Sequence, residues 1–410
     1  MLIHGATDND IHPPRFGGAQ RSFGLFRGLA RRHDVRVLCV VPNRNRGARD
    51  ERIDGVAIAR RKAWYTSLAW RLERARVAPL FLAAHGHAAR RTALLTALPG
   101  APDVMVADLH LAALLGRSGG AGAALRVLHA HNVEYDHFRA AGPALAMSGA
   151  WAARLRAMEA RAARGADRIV AASDEDAARL ATLYDVPAER LIVAPNGYDE
   201  REARPAAAEA RVRARASLGI RGDEYVALFV ASDVPHNRAG LALLVERVMP
   251  ALAGERVRLL VVGSVARALD GRREPWLIAA GETPDLGAVL AAADAGLNPV
   301  LAGGGSNIKL PTTLAAGLAV ITTPHGTRGF APLAPHVTVA PADAFADALR
   351  ARPRGWAADG APAPAPLAAY AWGAIGERLG EAFAAALGRS HAAGAAHDAD
   401  EAEAGRRRRA

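Results

Sequence analysis

Among its 410 residues the chain has one cysteine, Cys39, and two lysines, Lys62 and Lys309. A single thiol excludes a disulfide framework and any zinc site built on cysteine, and it fits a reducing compartment. Aromatic residues make up 5% of the chain. The interleaving of aromatic and basic residues that holds single-stranded nucleic acid by stacking is therefore missing. The longest apolar runs are pieces such as VRVLCVV and YVALFVAS, well short of the about 20 residues that a membrane-spanning helix requires. The opening MLIHGATDNDIHPP puts acidic residues and prolines where a signal peptide carries a basic stretch and then an apolar core. These absences predict a cytoplasmic protein whose contact with a membrane is peripheral, at the inner face.

With 51% hydrophobic and 23% charged residues, the chain is globular rather than disordered as a whole. At ~150 residues per domain its length allows two or three domains. The formal charge is +11, and the first hundred residues, with 18 basic and 7 acidic side chains, carry all of that surplus. A basic face of this kind attracts phosphates, whether of lipid headgroups, nucleic acid or a charged substrate. Nucleic acid ranks last, because the arginines lie mainly on alanine-rich helical stretches.

Short aliphatic runs alternate with longer Ala/Leu/Arg stretches of helical period, the pattern of parallel strands joined by crossover helices, so the fold class is α/β. Strands are expected at 34–42, 55–61, 102–108, 125–131, 167–173 and 190–196 in the first half, with a helix at 19–32. In the second half they are expected at 224–232, 257–264, 277–281, 295–300, 318–324 and 337–340. Twelve strands exceed the usual open twisted sheet, which argues for two sheets. A polar Ala/Arg stretch at 198–219 separates them. It divides the chain into a domain over 1–204, a second over 205–350, a Pro/Ala-rich linker with a closing helix (369–387) over 351–388, and a disordered tail over 389–410.

The segment LNPVLAGGGSNIKLPTTLAAGLAVITTPHGTRGF (297–330) reads as strand, glycine-rich loop, helix, strand and loop. Gly303, Gly304 and Gly305 let the backbone approach a ligand closely, and Ser306 or Asn307 caps a helix running through Ala316. Lys309 stands in its first turn, in a chain with fifty arginines, and a compact ammonium beside a diphosphate explains that choice. In the first half, Gly17 and Gly18 precede the helix. His131, at the end of the strand 125–131, stands with Asn132 and Glu134 in HNVE. His129 shares its strand face, and His85 and His87 form another pair, but no third metal ligand with a known spacing accompanies them, so no metal is expected. The acidic run Asp174, Glu175 and Asp176 behind Ser173 is a helix start.

Taken in order, these segments resemble a GT-B glycosyltransferase of the family 4 type, over about 14–387. The likeness is carried by PRFGGAQRSFGLFRGLARRHDVRVLCV, HNVEYDHFR, RIVAASDEDAARLATLYDVPAERLIVAPNGYD, TPDLGAVLAAADAGLNPVLAGGGSNIKLPTTLAAGLAVITTPHGTRGF and YAWGAIGERL. It implies two Rossmann-like domains facing a cleft and a closing helix that packs back on the first domain. It also implies transfer, with retention, of a sugar from a nucleotide-sugar donor to a saccharide or lipid-linked acceptor, with no cofactor besides the donor. Gly17, Gly18, Gly304, Gly305, Ser306, Asn307 and Lys309 would bind the donor, while His131 and Glu134 would act on the sugar and the acceptor hydroxyl. The sequence departs from the family where a Glu-x7-Glu pair is usual: those positions hold Gly304 and Thr312. The usual donor-clamping cations fall around Ser232 and Asn237, leaving Arg238 as the nearest. These departures keep a second reading open, a catalytically silent module that binds a nucleotide sugar or a partner enzyme.

Overall fold

The computed structural model describes residues 1–43, 49–116, 124–141, 145, 147–283, 285–302 and 306–388. Runs of two to nine residues, the central ones buried on both faces, pair in parallel with helices as crossovers. The first sheet contains β1 (Leu2–Thr7), β2 (Asp34–Pro42), β3 (Glu51–Ile53), β4 (Val56–Ala63), β5 (Val104–Asp108), β6 (Leu125–His129), β7 (Arg168–Ala171) and β8 (Leu191–Val193). Their order is β3-β4-β2-β1-β5-β6-β7-β8, and only β3, against β4, is antiparallel. The second sheet contains β9 (Tyr225–Val230), β10 (Val257–Val262), β11 (Leu277–Gly281), β12 (Ala295–Asn298), β13 (Ala319–Thr322) and β14 (Thr338–Val339), in the order β11-β10-β9-β12-β13-β14. Two parallel-sheet domains thus follow each other along the chain, as the alternating pattern predicts.

Two strands lie outside the sequence expectation. β3 is three residues long, and β1, LIHGAT, includes a histidine and a glycine. Yet β1 is a central strand, with Leu2 to Thr7 in register against Asp34 to Cys39 on one side and Ile3 to Ala6 against Val104 to Ala107 on the other. Its glycine is demanded by packing: a Cβ added to Gly5 would lie 2.4 Å from the Phe26 ring. The first helix is Gly17–Ala30, so Gly17 and Gly18 form its first turn rather than the loop before it. β6 ends at His129, and His131 lies two residues beyond it.

The closing helix spans 372–388. Its Trp372, Ile375, Leu379, Phe383 and Ala386 join Ile3, Phe23, Phe26 and Leu29 in the first domain's core. Two glycines permit the crossing, since a Cβ on Gly376 would lie 2.2 Å from the Gly28 carbonyl carbon. Tyr198 and the 370–372 segment exchange backbone hydrogen bonds, Tyr198 N–H to Tyr370 O at 3.0 Å and Trp372 N–H to Tyr198 O at 3.1 Å. The chain therefore returns to its first domain after completing the second. The expected tail at 389–410 lies outside the described residues.

Candidate active site

In each sheet the chain leaves two neighbouring central strands in opposite directions, and a crevice opens at their carboxyl ends. In the first sheet that point lies between β1 and β5, and the chain places Asp8, Asp108 and His110 just there. Asp108 ends β5 and is buried. Its Oδ1 accepts from His129 Nδ1 at 2.9 Å and lies 3.2 Å from His131 Nε2. The two imidazoles are 4.3 Å apart between centroids. Burial alone would raise the Asp108 pKa, but the charge of His131 and the hydrogen bonds from both histidines hold it well below the carboxylate range. Burial, with His131 beside it, pushes His129 down to about 3, so His129 stays neutral.

The partners also assign the ring protons. Arg21 Nε donates to His129 Nε2 at 3.1 Å, which leaves the single His129 proton on Nδ1, facing Asp108. His131 turns its Nε2 toward the carboxylate, and its Nδ1 is buried with no hydrogen-bond partner. A Cβ on Gly18 would come 3.9 Å from that nitrogen, and one on Gly17 would meet nothing within 4 Å. The start of the helix Gly17–Ala30 therefore borders His131. Phe16 gives it no side-chain cap and its first turn holds no acid, so its leading N–H groups suit an anion.

Asp108, His129 and His131 present ligand atoms within 4.8 Å of one another. They fit a metal poorly. Both His129 nitrogens are engaged: Nε2 accepts from Arg21, so Nδ1, the nitrogen facing Asp108, keeps its proton. The geometry is that of a hydrogen-bonded histidine pair on one carboxylate.

Glu134 opens the helix Glu134–Ala141, and Asn132 Nδ2 reaches its Oε1 at 3.4 Å. Glu159 accepts the N–H groups of Glu134 and Tyr135 at 2.7 and 3.0 Å and so fixes the start of that helix. Burial pushes the Glu159 carboxyl up to about 7, against the hydrogen bonds from Tyr184 and the two N–H groups. His110 pairs with Asp8. Burial works against its charge, but Asp8, with Glu134 and Asp108 near, raises it to about 9.

In the second domain, the helix Lys309–Ala315 starts at the lysine. Asn307 Oδ1 accepts the Lys309 N–H at 3.0 Å, a local turn in place of the expected cap. Lys309 Nζ donates to Asn237 Oδ1 at 2.8 Å and stands 5.4 Å from the Phe229 ring centroid. Burial lowers its pKa to about 8, and among the described residues no carboxylate pairs with it. His236 is lowered to about 4 by burial, with Lys309 and His137 adding to the effect. His137 belongs to the first domain, so Lys309 lies at the crevice between the two. Arg238 is 60% exposed and is held by Asp233, away from Lys309's partners. Gly303, Gly304 and Gly305 lie outside the described residues.

Ser306 bridges the domains. It accepts the Asn196 N–H at its Oγ (3.2 Å) and the Asn196 amide at its carbonyl (2.6 Å), and its hydroxyl donates to Ala172 O at 3.0 Å. Arg328 pairs with Asp176, whose helix is capped by Ser173. Asp108, Arg21, Asn196, Asp176 and Asn237 were not among the candidates drawn from the sequence. The signals available were a carboxylate closing the strand 102–108 and the acidic run after Ser173.

Residues 16–202 match the family model described as Glycosyltransferase Family 4, and residues 224–351 match that described as Glycosyl transferases group 1. No curated protein matches the chain. Sucrose-phosphate synthase from Thermosynechococcus elongatus superposes with a TM-score of 0.65 at 16% identity, over 97% of this chain and 99% of that one. Anabaena HepE, in complex with UDP and glucose, gives 0.60 at 14% over 97% and 100%. WaaG, a glycosyltransferase involved in lipopolysaccharide biosynthesis, gives 0.56 at 20% over 92% and 95%. Two parallel-sheet domains with their carboxyl edges at one crevice define the GT-B fold. With its two matched domains, the chain is a GT-B glycosyltransferase.

The Asp8–His110 pair makes stability depend on pH. The unfolded histidine titrates near 6.5 and the folded one at about 9. The pair's contribution is therefore complete below pH 6.5 and is lost as pH rises through 9. Lys309, lowered in the folded state, acts in the opposite sense above pH 8, so the comparison must be with a variant. Between pH 6.5 and 9.5, His110→Gln is expected to lose about 1 to 3 kcal/mol less than the parent in thermal or urea unfolding. Parallel pH profiles would contradict the assignment.

Proposed function

We propose that the chain transfers a sugar from a nucleotide-sugar donor to a hydroxyl of a saccharide or lipid-linked acceptor, with the retention that the family 4 likeness implies. The observation that carries this reading is Lys309: a partly buried ammonium at the crevice whose hydrogen-bond partner is a neutral amide. The donor diphosphate is its counter-ion. The uncapped start of Gly17–Ala30 faces the same crevice from the first domain and supplies further N–H donors at Gly17 and Gly18. As the sugar–phosphate bond breaks, negative charge grows on the leaving diphosphate, and fixed cations and N–H groups stabilise it most at that moment. Asn307 sets the start of the lysine's helix, and Gly304 and Gly305 keep the role proposed from the sequence, close backbone approach to the donor. Ser306 acts as a bridge between domains. Arg238, held by Asp233, is a rim cation.

On the first-domain side, the unpartnered Nδ1 of His131 meets a sugar hydroxyl, and Asp108 fixes the ring that carries it. Glu134 takes the proton from the acceptor hydroxyl. Roles thus divide by domain: the second holds the nucleotide, and the first orients the sugar and acceptor.

Because HepE is described with UDP and glucose, UDP-glucose is the first donor to try in a thermal-shift panel of nucleotide sugars. A ligand at 100 times its Kd stabilises by about 2.7 kcal/mol. Lys309→Ala is expected to weaken nucleoside-diphosphate binding about tenfold to a hundredfold. His131→Ala and Glu134→Ala are expected to lose turnover with little change in nucleotide affinity, as for interactions made mainly in the transition state. A wild-type protein that binds a nucleotide sugar yet neither transfers nor hydrolyses it would replace this reading with the silent binding module.

Peripheral contact with an anionic membrane is supported by the helix Trp64–Arg74. Trp64 and Leu68 are 57% and 46% exposed, one turn apart. Arg71 and Arg74 are exposed beyond them, and Val77 follows at 57%. Among the described residues no helix is long and apolar enough to cross a membrane, but this stripe lays apolar tips and cations on one face, as interfacial helices do. The protein is expected to sediment with anionic vesicles at low salt, and Trp64→Glu with Leu68→Glu to abolish it. Equal sedimentation of the double variant would remove the stripe from the contact.

A further inference from the structure

We propose that Arg21 is a positioning residue that readies the Asp108–His131 pair when the second domain is seated on the first, with Asn196 and Asp176 as its two connections to that domain. The inference rests on the glycosyltransferase reading above.

Arg21 lies in the second turn of Gly17–Ala30 and is 2% exposed. Its Nε holds His129, as described, and its Nη1 donates to Ala194 O at 2.7 Å and Asn196 Oδ1 at 3.2 Å. Its Nη2 is buried with no partner. The Asn196 amide has one workable orientation: oxygen toward Arg21, nitrogen toward the Ser306 carbonyl of the second domain at 2.6 Å. This is the first connection.

Charge makes the second. Asp176 is 1% exposed and receives Arg328 from the second domain at Oδ1, while its Oδ2 is buried without a partner. Of the charges acting on Arg21, that of Asp176 is foremost and that of Asp108 follows. Positive and negative groups therefore alternate through the interior: Arg328, Asp176, Arg21, then Asp108 across the neutral His129.

The consequence of removing the second domain's two contacts follows. Without Ser306, the Asn196 amide nitrogen has lost its partner and only Arg21 holds the oxygen. Without Arg328, Asp176 is a buried carboxylate without its ion pair, a costly state, and Arg21, whose Nη2 is unpartnered, is the other cation that acts on it. A shift of Arg21 toward Asp176 draws Nε off His129 Nε2. His129 then carries its proton on either nitrogen, Asp108 loses a fixed donor, and the ring of His131 loses its orientation. Seating of the second domain and readiness of the acceptor side become one event.

The test uses the full-length protein. Side-chain nitrogen spectra report the tautomers of His129 and His131, and steady-state kinetics with the best donor of the panel separates kcat from KM. In the parent, His129 is expected as the Nδ1–H tautomer alone. In Arg328→Ala and Asn196→Ala it is expected to become mixed, with kcat lower by about tenfold and donor KM nearly unchanged. Arg328→Lys, which keeps the cation, should restore most of the rate and the single tautomer. Parental histidine spectra in both alanine variants would overturn the proposal, as would a lysine variant no better than alanine. Should Asn196→Ala not fold, Arg328→Ala, which removes the other connection, decides alone. If the parent turns over no nucleotide sugar, the functional reading fails, and the spectra alone decide this one.

Discussion

An ammonium group partly withdrawn from water, with no carboxylate partner among the described residues, is the constraint around which the molecule is arranged. Lys309 Nζ has an amide oxygen at 2.8 Å and an aromatic face at 5.4 Å, both neutral, and burial pulls its pKa down to about 8. Neither contact offsets the desolvation of a full charge as an ion pair does. On the reading proposed above, an anion entering the crevice would offset it, and a diphosphate would meet both the lysine and the N–H groups of the first helix's start. The glycine–glycine crossing of the closing helix on the first helix fixes where that opposite start lies.

The arginines serve a different purpose. Arg60 is buried, and its fork binds Asp10, Glu51 and the carbonyl of His12, which fixes the loop that leads from β1 to the first helix. Arg211 and Arg215 both reach Asp294 and take carbonyls of the 291–293 segment. A planar guanidinium with several donors suits such multiple anchoring; a lysine is a point charge. Several of these arginines thus hold loops and helix ends.

The fold was legible because parallel strands buried on both faces write themselves as apolar runs. All twelve expected strands are present, and β1 was missed because His4 and Gly5 interrupt its run, the glycine to admit the Phe26 ring. Lys309 was legible as a compositional exception and His131 by its motif. Asp108, Arg21 and Asn196 were not, because what matters in them is convergence. They lie 87 and 88 residues apart in sequence, and only the parallel pairing of β5 with β6 and the return of the chain after β8 bring them around His129. Ser306 read as a helix cap, since a serine before a helix usually is one, whereas its partners are in the other domain.

The most direct test of the central claim is the pH dependence of nucleoside-diphosphate affinity. If the protonated Lys309 is the counter-ion of the diphosphate, Kd measured by calorimetry should rise as pH passes upward through about 8, since the neutral amine no longer attracts the anion. In Lys309→Arg, which stays charged across that range, the rise should vanish. Equal affinity at pH 6.5 and about 9.5 in the parent, or the same pH dependence in the arginine variant, would contradict the account.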